Sequence, residues 1–463
     1  MLTDANRSCA NRSCASRSPA KPTRRSAPFR ILRMVGALAL ALAGASSLPA
    51  TAQNAYGPPP AGGPKVSLRL ATNAVGVAPM AKVLPQLIKK FEADYPNVSV
   101  AYEGTPGNDH QTKIKLDASS NRLPDLFSYW RMDPSFGLDQ IVDAGRIADL
   151  TEWTRNDPAF KGMFDDSSWA TATRNGAVRG VPFQMFYVYF GANPTVFKRA
   201  GVDVPKNWQE LLAATTALKA AGEIPWGISI GRDSQGGRIY NLVVNRLIGN
   251  ERALRMHSGQ EPINVPEMVE AARLVAELVV GKTPADAIAI DNNAAYAKYV
   301  NDNRGAMWVD GSFALGQLSD PIRNSLVPLD FPLIPGGVEK EFRTERDLTS
   351  LWYVNARSYQ DDVKRPYIQE LIRRLTSRDA AKLYAEQAKS PVPNIGVDID
   401  PEAVGPAAVV TQQKALSAPA NKWIPTVMTP DARAKFEPVL SEFLAGRHTP
   451  EDFVKRLGVI FTR

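Results

Sequence analysis

The chain has 463 residues, a length too great for one compact core and suited to two lobes. Its formal charge of +8 would suit a nucleic-acid binder, but residues 1–52 carry eight basic side chains and one acid, +7 of that total, leaving +1 for the rest. That remainder has no basic footprint for nucleic acid. Both cysteines, Cys9 and Cys14, also lie in this first stretch, within an Asn-Arg-Ser-Cys-Ala repeat. Residues 53–463 therefore supply no thiol for a disulfide, a metal or a nucleophile.

Residues 1–52 read as a secretory leader. Arg24 to Arg33 give a positive start, and Met34 to Ala45 an apolar core too short to span a membrane stably. Ala50-Thr51-Ala52 then forms a cleavage site before Gln53. No cysteine stands there to carry a lipid, so the expected product is a soluble periplasmic protein. Residues 53–65, rich in Pro, Gly and Ala, read as a linker.

Val66 to Leu70 alternates as a first strand, and Leu84, Leu87, Ile88 and Phe91 mark one face of a helix. Val98, Val100 and Tyr102 predict a second strand, Gln111 to Ser119 a polar helix, and Leu123 to Phe127 a third strand. That alternation implies a doubly wound α/β sheet. Phe183 to Phe190 is an apolar run broken only by Gln184, a strand buried on both faces. Asn193-Pro194 starts a short helix that Gly201 ends; Asn207 caps the next, with Glu210 completing a capping box and Gly222 closing it. A further strand is expected at Pro225 to Ile230. Helices are expected at Tyr240 to Ile248 and Met268 to Val280.

The order of these segments resembles the extracellular solute-binding proteins, family 1, the sugar-binding components of ABC importers. The resemblance rests on Tyr189-x-x-x-Asn193, Ala200-Gly201-Val202, and Asn207-Trp208-x-Glu210-Leu211. It is carried further by Gly145-x-Ile147-x-Asp149-Leu150-Thr151, Gly176-x-x-x-Gly180-Val181-Pro182, Ala306-Met307-x-x-x-Gly311-Ser312-Phe313-Ala314 and Phe331-Pro332-x-x-Pro335. It implies strands around Ala306 to Asp310 and at Leu351 to Ser358, a terminal helix at Gly446 to Leu457, and a two-lobed periplasmic-binding-protein fold (type II), each lobe a doubly wound sheet with flanking helices and a cleft between them. The N-terminal lobe is expected from residues 66–183 plus 312–375 and the C-terminal lobe from 184–311 plus 376–463. Crossings are expected near 183–186, 309–312 and 374–377.

Sugars present apolar C–H faces and a rim of hydroxyls, so a site for them needs aromatic faces beside polar forks. Tyr129 and Trp130 follow the carboxyl end of the third strand, where open α/β sheets bind ligands. Phe313 stands where the family carries Trp, at a helix start on the lobe boundary, and is expected to face Tyr129. Gln184 is the lone polar residue of its strand, with Phe186 beside it; Asp310, Arg238, Trp352 and Asn73 complete the candidates. The resemblance implies a monomer that captures a carbohydrate and delivers it to a permease, without catalysis or cofactor. Three alternatives stay open: a polyol, a polyamine (which would want several cleft carboxylates), or a secreted glycan-active enzyme (which would want two carboxylates across a cleft). His110, His257 and His448 lack metal-ligand spacing, and no phosphate-binding glycine motif follows a strand.

Overall fold

The computed structural model describes residues 56–462 apart from 77 and 108; the leader and its cleavage site lie outside the described residues. The strands in chain order are β1 (Val66–Thr72), β2 (Val98–Gly104), β3 (Leu126–Trp130), β4 (Thr173–Arg174), β5 (Ala177–Val178) and β6 (Gly180–Ala192). They continue with β7 (Ile224–Trp226), β8 (Gly305–Gly311), β9 (Val327–Leu329), β10 (Thr344–Val354) and β11 (Ala420–Asn421). One sheet runs β2-β1-β3-β10-β6-β8-β7, with β9 added on β6 and β11 on β10. β1 pairs in parallel with β2 and β3, β7 with β8 and β11 with β10, while β10 is antiparallel to β3 and β6, and β6 to β8 and β9.

The two lobes of this α/β fold are joined through β6 and β10. β6 has 13 residues, and its neighbours change along its length. From Gly180 to Tyr187 it pairs with β10; from Val188 to Ala192 it pairs with β8. Where the change occurs, the Tyr187 N–H donates to Ser312 Oγ over 3.0 Å. A buried backbone donor left without its ladder would cost about 1–3 kcal/mol; here the first residue after β8 satisfies it. The first-lobe half of β6 is held by Phe183, whose ring lies 4.7 Å from Trp352 and 5.5 Å from Tyr384.

The caps form as their chemistry demands. Asn193 Oδ1 accepts from the Thr195 N–H, Gly201 takes φ +67°, and Asn207 Oδ1 accepts from the Glu210 N–H. The capping box differs in one respect: Glu210 Oε2 accepts from the N–H of Lys206, one residue before the cap. Asn175 and Gly176, both at positive φ, turn the β4–β5 hairpin that leads into β6.

Several expected boundaries move. The third strand begins at Leu126, three residues after its expected start, and carries Tyr129 and Trp130 within it. The Pro225 strand stops at Trp226, and the Leu351 strand begins earlier, at Thr344. The return expected at 309–312 does not occur there. β9 pairs with β6 at Phe190 to Ala192, on the edge opposite β8, so residues 312–329 pack on the second-lobe end. The chain returns instead along β10, whose residues 350–354 pair with β3. The crossing expected at 374–377 is displaced too. The helix Arg378–Ala388 packs against residues 79–82, and its Tyr384 against Phe183, both on the first-lobe side. The helix Pro406–Ser417, packed on β9, is the first long element beyond that crossing.

Candidate functional site

A cleft of about 500 Å³ opens where the β3 end of the sheet faces the helices that follow β7 and β11. This lies within the usual range for small-ligand sites. One wall comes from β3 and the short turn after it. Alternation along a strand sends successive side chains to opposite faces, so Tyr129 turns inward while Trp130 turns to the cleft. Trp130 stacks on Phe136 at 5.9 Å and 27°. The Arg131 guanidinium lies 5.8 Å from the Phe136 ring and 5.7 Å from that of Phe186. Behind, Arg131 pairs with Asp133 and Asp347, and its Nη1 donates to the Leu348 carbonyl.

The opposite wall is built on Arg238, in the helix Gln235–Ile248. Its guanidinium lies 5.5 Å from the Phe313 ring and 5.3 Å from that of Trp423. Trp423 meets Phe186 edge to face at 6.3 Å and 87°. From the helix Pro430–Leu444, Arg433 reaches to 5.9 Å from Phe136, and so touches the first wall. Arg433 is bonded to Glu437 at 2.7 Å and Asp233 at 3.2 Å. The cleft therefore alternates aromatic faces with guanidinium edges.

Four of the sequence candidates line it: Trp130, Phe186, Arg238 and Phe313. The others do not. Tyr129 is 1% exposed, its hydroxyl donating to the Phe136 carbonyl over 3.0 Å, so it cannot face Phe313. Burial raises its pKa, and it serves as the prop beneath the Phe136 turn. Trp352 is fully buried against Phe183. Gln184 finds side-chain partners at the β10 bulge: its Oε1 accepts from Ser350 Oγ at 2.8 Å, and its Nε2 donates to Ser390 Oγ at 3.4 Å. Asn73 lies in the turn after β1, its carbonyl accepting from the Val75 N–H, away from the cleft lining.

Asp310 is fully buried and saturated. Its Oδ1 accepts from Arg238 Nε at 2.6 Å and from the Gly311 N–H at 2.7 Å. Its Oδ2 accepts from Gln235 Nε2 and from the Tyr296 hydroxyl, each at 3.1 Å. An ionised carboxylate has about four acceptor sites, so none remains for a ligand. Asp310 is the residue that holds Arg238 in place. Among the described residues, Arg238 is hydrogen-bonded through Nε alone, which leaves its two Nη groups for the cleft.

Sequence reasoning missed Arg131, Phe136, Trp423 and Arg433. Arg131 adjoins the singled-out Tyr129-Trp130 pair and could have been taken with it. Trp423-Ile424-Pro425 lies in a 3₁₀ turn with no local mark of a ligand site. The cleft carboxylates, Asp233 and Glu437, are bound by the same guanidinium on one wall, which is not the opposed pair that glycoside hydrolysis uses.

Among solved structures, a chitin oligosaccharide binding protein superposes with a TM-score of 0.74 at 19% identity, over 86% of this chain and 98% of that one. A structure from work on xylan utilization by the thermophilic bacterium Caldanaerobius polysaccharolyticus gives 0.73 at 21%, over 85% and 99%. The Escherichia coli (strain K12) protein YcjN, provisionally named an ABC transporter periplasmic-binding protein, is 21% identical over 212 residues, 44% of this chain and 46% of its own length. A provisionally named binding protein of Brucella abortus (strain 2308) is 26% identical over 195 residues, 41% and 45%. The chain thus spans about half the length of these curated relatives. Residues 77–382 match the bacterial extracellular solute-binding protein family, and the chain belongs to that family.

Proposed function

We propose that this protein captures a carbohydrate in the cleft between its lobes and delivers it to the permease of an ABC importer, without chemical change to the solute. The observation that carries this reading is the alternation of aromatic faces and guanidinium edges in the cleft. Sugar C–H faces pack on the rings, and hydroxyls accept from the Nη groups. The chitin-oligosaccharide and xylan-utilization neighbours are consistent with it, as is the provisional name of YcjN. Ligand contacts made by both walls at once favour the closed arrangement, the form a permease would recognise. Residues 1–52 act as a cleaved export leader and the mature chain works as a periplasmic monomer; the N-terminal mass of exported protein checks cleavage after Ala52. Among the described residues no helix is long and apolar enough to cross a membrane.

Thermal-shift screening against neutral and acidic mono- and oligosaccharides tests the reading. A true ligand at 100 times its Kd adds about 2.7 kcal/mol of stability. A panel in which no saccharide shifts the melting temperature refutes it.

A further inference from the structure

The charges of the cleft are not balanced. Five cationic side chains line it, against the two carboxylates Asp233 and Glu437. Three of the cations have partners. Arg131 is paired with Asp133 and Asp347, Arg238 with Asp310, and Arg433 with Asp233 and Glu437. The other two, Lys115 and Arg232, are exposed, and among the described residues neither has a carboxylate within ion-pair distance. They stand on different walls. Lys115 is carried by the helix Asp109–Ser119, which docks on β3 through His110, whose Nε2 hydrogen-bonds the Ser128 carbonyl. Arg232 lies in the turn that leads into the helix of Arg238.

Unpaired cations scattered on a surface are ordinary. Two of them lining one cleft, on walls whose remaining charges are already paired, set a positive potential where a ligand would sit. A neutral hexose leaves that potential unanswered. We infer that the solute carries an anionic group, a carboxylate or a phosphate, on its hydroxylated body, and that Lys115 and Arg232 are the residues that select it. The inference rests on the carbohydrate reading above and narrows it.

The test uses isothermal titration of the purified protein with three arms: glucuronate and galacturonate, glucose 6-phosphate, and the neutral parents glucose and galactose. The expected result is that one anionic arm binds at least tenfold more tightly than its neutral parent, with a preference that shrinks as ionic strength rises. The arm that binds more tightly tells carboxylate from phosphate. Lys115→Gln and Arg232→Gln should each cut that preference several-fold; both residues are exposed, and circular dichroism and melting confirm that the variants fold. Neutral sugars binding as tightly as the anionic ones overturns the inference and leaves the carbohydrate reading standing. Full preference retained in both variants overturns it in the same way. Binding in no arm overturns the inference, and the carbohydrate reading falls with it only if the wider thermal-shift panel is also silent.

Discussion

The Arg238–Asp310 pair lets the organisation of the cleft be tested apart from its ligand. Asp310→Ala removes the carboxylate but leaves the guanidinium, 8% exposed, without its counter-charge. Removing one partner of a buried pair costs about 3–5 kcal/mol, and the loss of an acceptor for Gln235 and Tyr296 adds to that. Replacing both partners by apolar residues, Arg238→Met with Asp310→Leu, leaves no stranded charge. The double variant should therefore be more stable than the single one by several kcal/mol, although it is altered at one more position. Ligand binding should not recover with it, because the Nη groups are gone. Urea titration followed by tryptophan fluorescence reads the first quantity, and calorimetry with the ligand found in screening reads the second. A double variant no more stable than Asp310→Ala would show that the pair is not what holds this wall. Restored binding in the double variant would show that Arg238 does not touch the solute.

Trp423→Ala removes one face from the cleft. It should weaken binding by roughly 10- to 100-fold, from the 1.5–3 kcal/mol of apolar surface it offers, and cost the fold only about 1–2 kcal/mol through its contacts with Phe186 and Arg238. Trp352→Ala, fully buried beside Phe183, should do the reverse, with a loss of about 3–5 kcal/mol in stability and unchanged affinity for the molecules that remain folded. Calorimetry and melting of the two variants together check the contrast. Glu345 is fully buried; burial raises its carboxyl pKa to about 8, against the opposing pull of Arg246 and the Asn245 hydrogen bond. Because the folded pKa lies above the unfolded one, the protonated form favours folding. Stability from this group is present at low pH and is lost as pH rises from about 4.5 to about 8, by up to roughly 1.4 kcal/mol per unit. Glu345→Gln keeps the acceptor that Asn245 uses and should gain on the wild type across that window; melting temperatures that differ by the same amount at pH 5 and pH 8 refute the assignment.

Local chemistry was legible in the sequence wherever one residue type has one use. Asn193, Gly201 and Asn207 cap as they must, and the apolar run around Phe183 to Phe190 forms the strand both lobes share. Positions that depend on register were not. Tyr129 and Trp130 are equally aromatic, and only the frame of β3 decides which faces the cleft; placing the strand three residues early left that choice open. The second and third crossings lie elsewhere for a related reason. Gly311-Ser312-Phe313 marks the end of β8, but where the chain goes next is fixed by β9 pairing with Phe190 to Ala192, a contact more than 130 positions away in sequence with no local signal. Trp423 and Arg433 are unreadable on the same ground, since residues 420–440 are brought to the cleft through β11 on β10 and the packing of the last helices.

The place of Asp310 behind the cleft has a different origin. Its residue type and its place at the end of β8, beside Phe313, were both consistent with a ligand contact. A carboxylate there can touch the solute or hold the group that does, and the distinction lies in how many donors already reach it. Two reach each oxygen of Asp310, from four different residues, Gly311, Gln235, Arg238 and Tyr296. These come from a strand end and two helices that are separate in sequence. The acid thus fixes the guanidinium by the edge that faces away from the cleft, while Phe313 and Trp423 flank it. A guanidinium held in this way has little rotamer freedom left to lose on binding, so more of each hydrogen bond it makes to a solute appears as affinity.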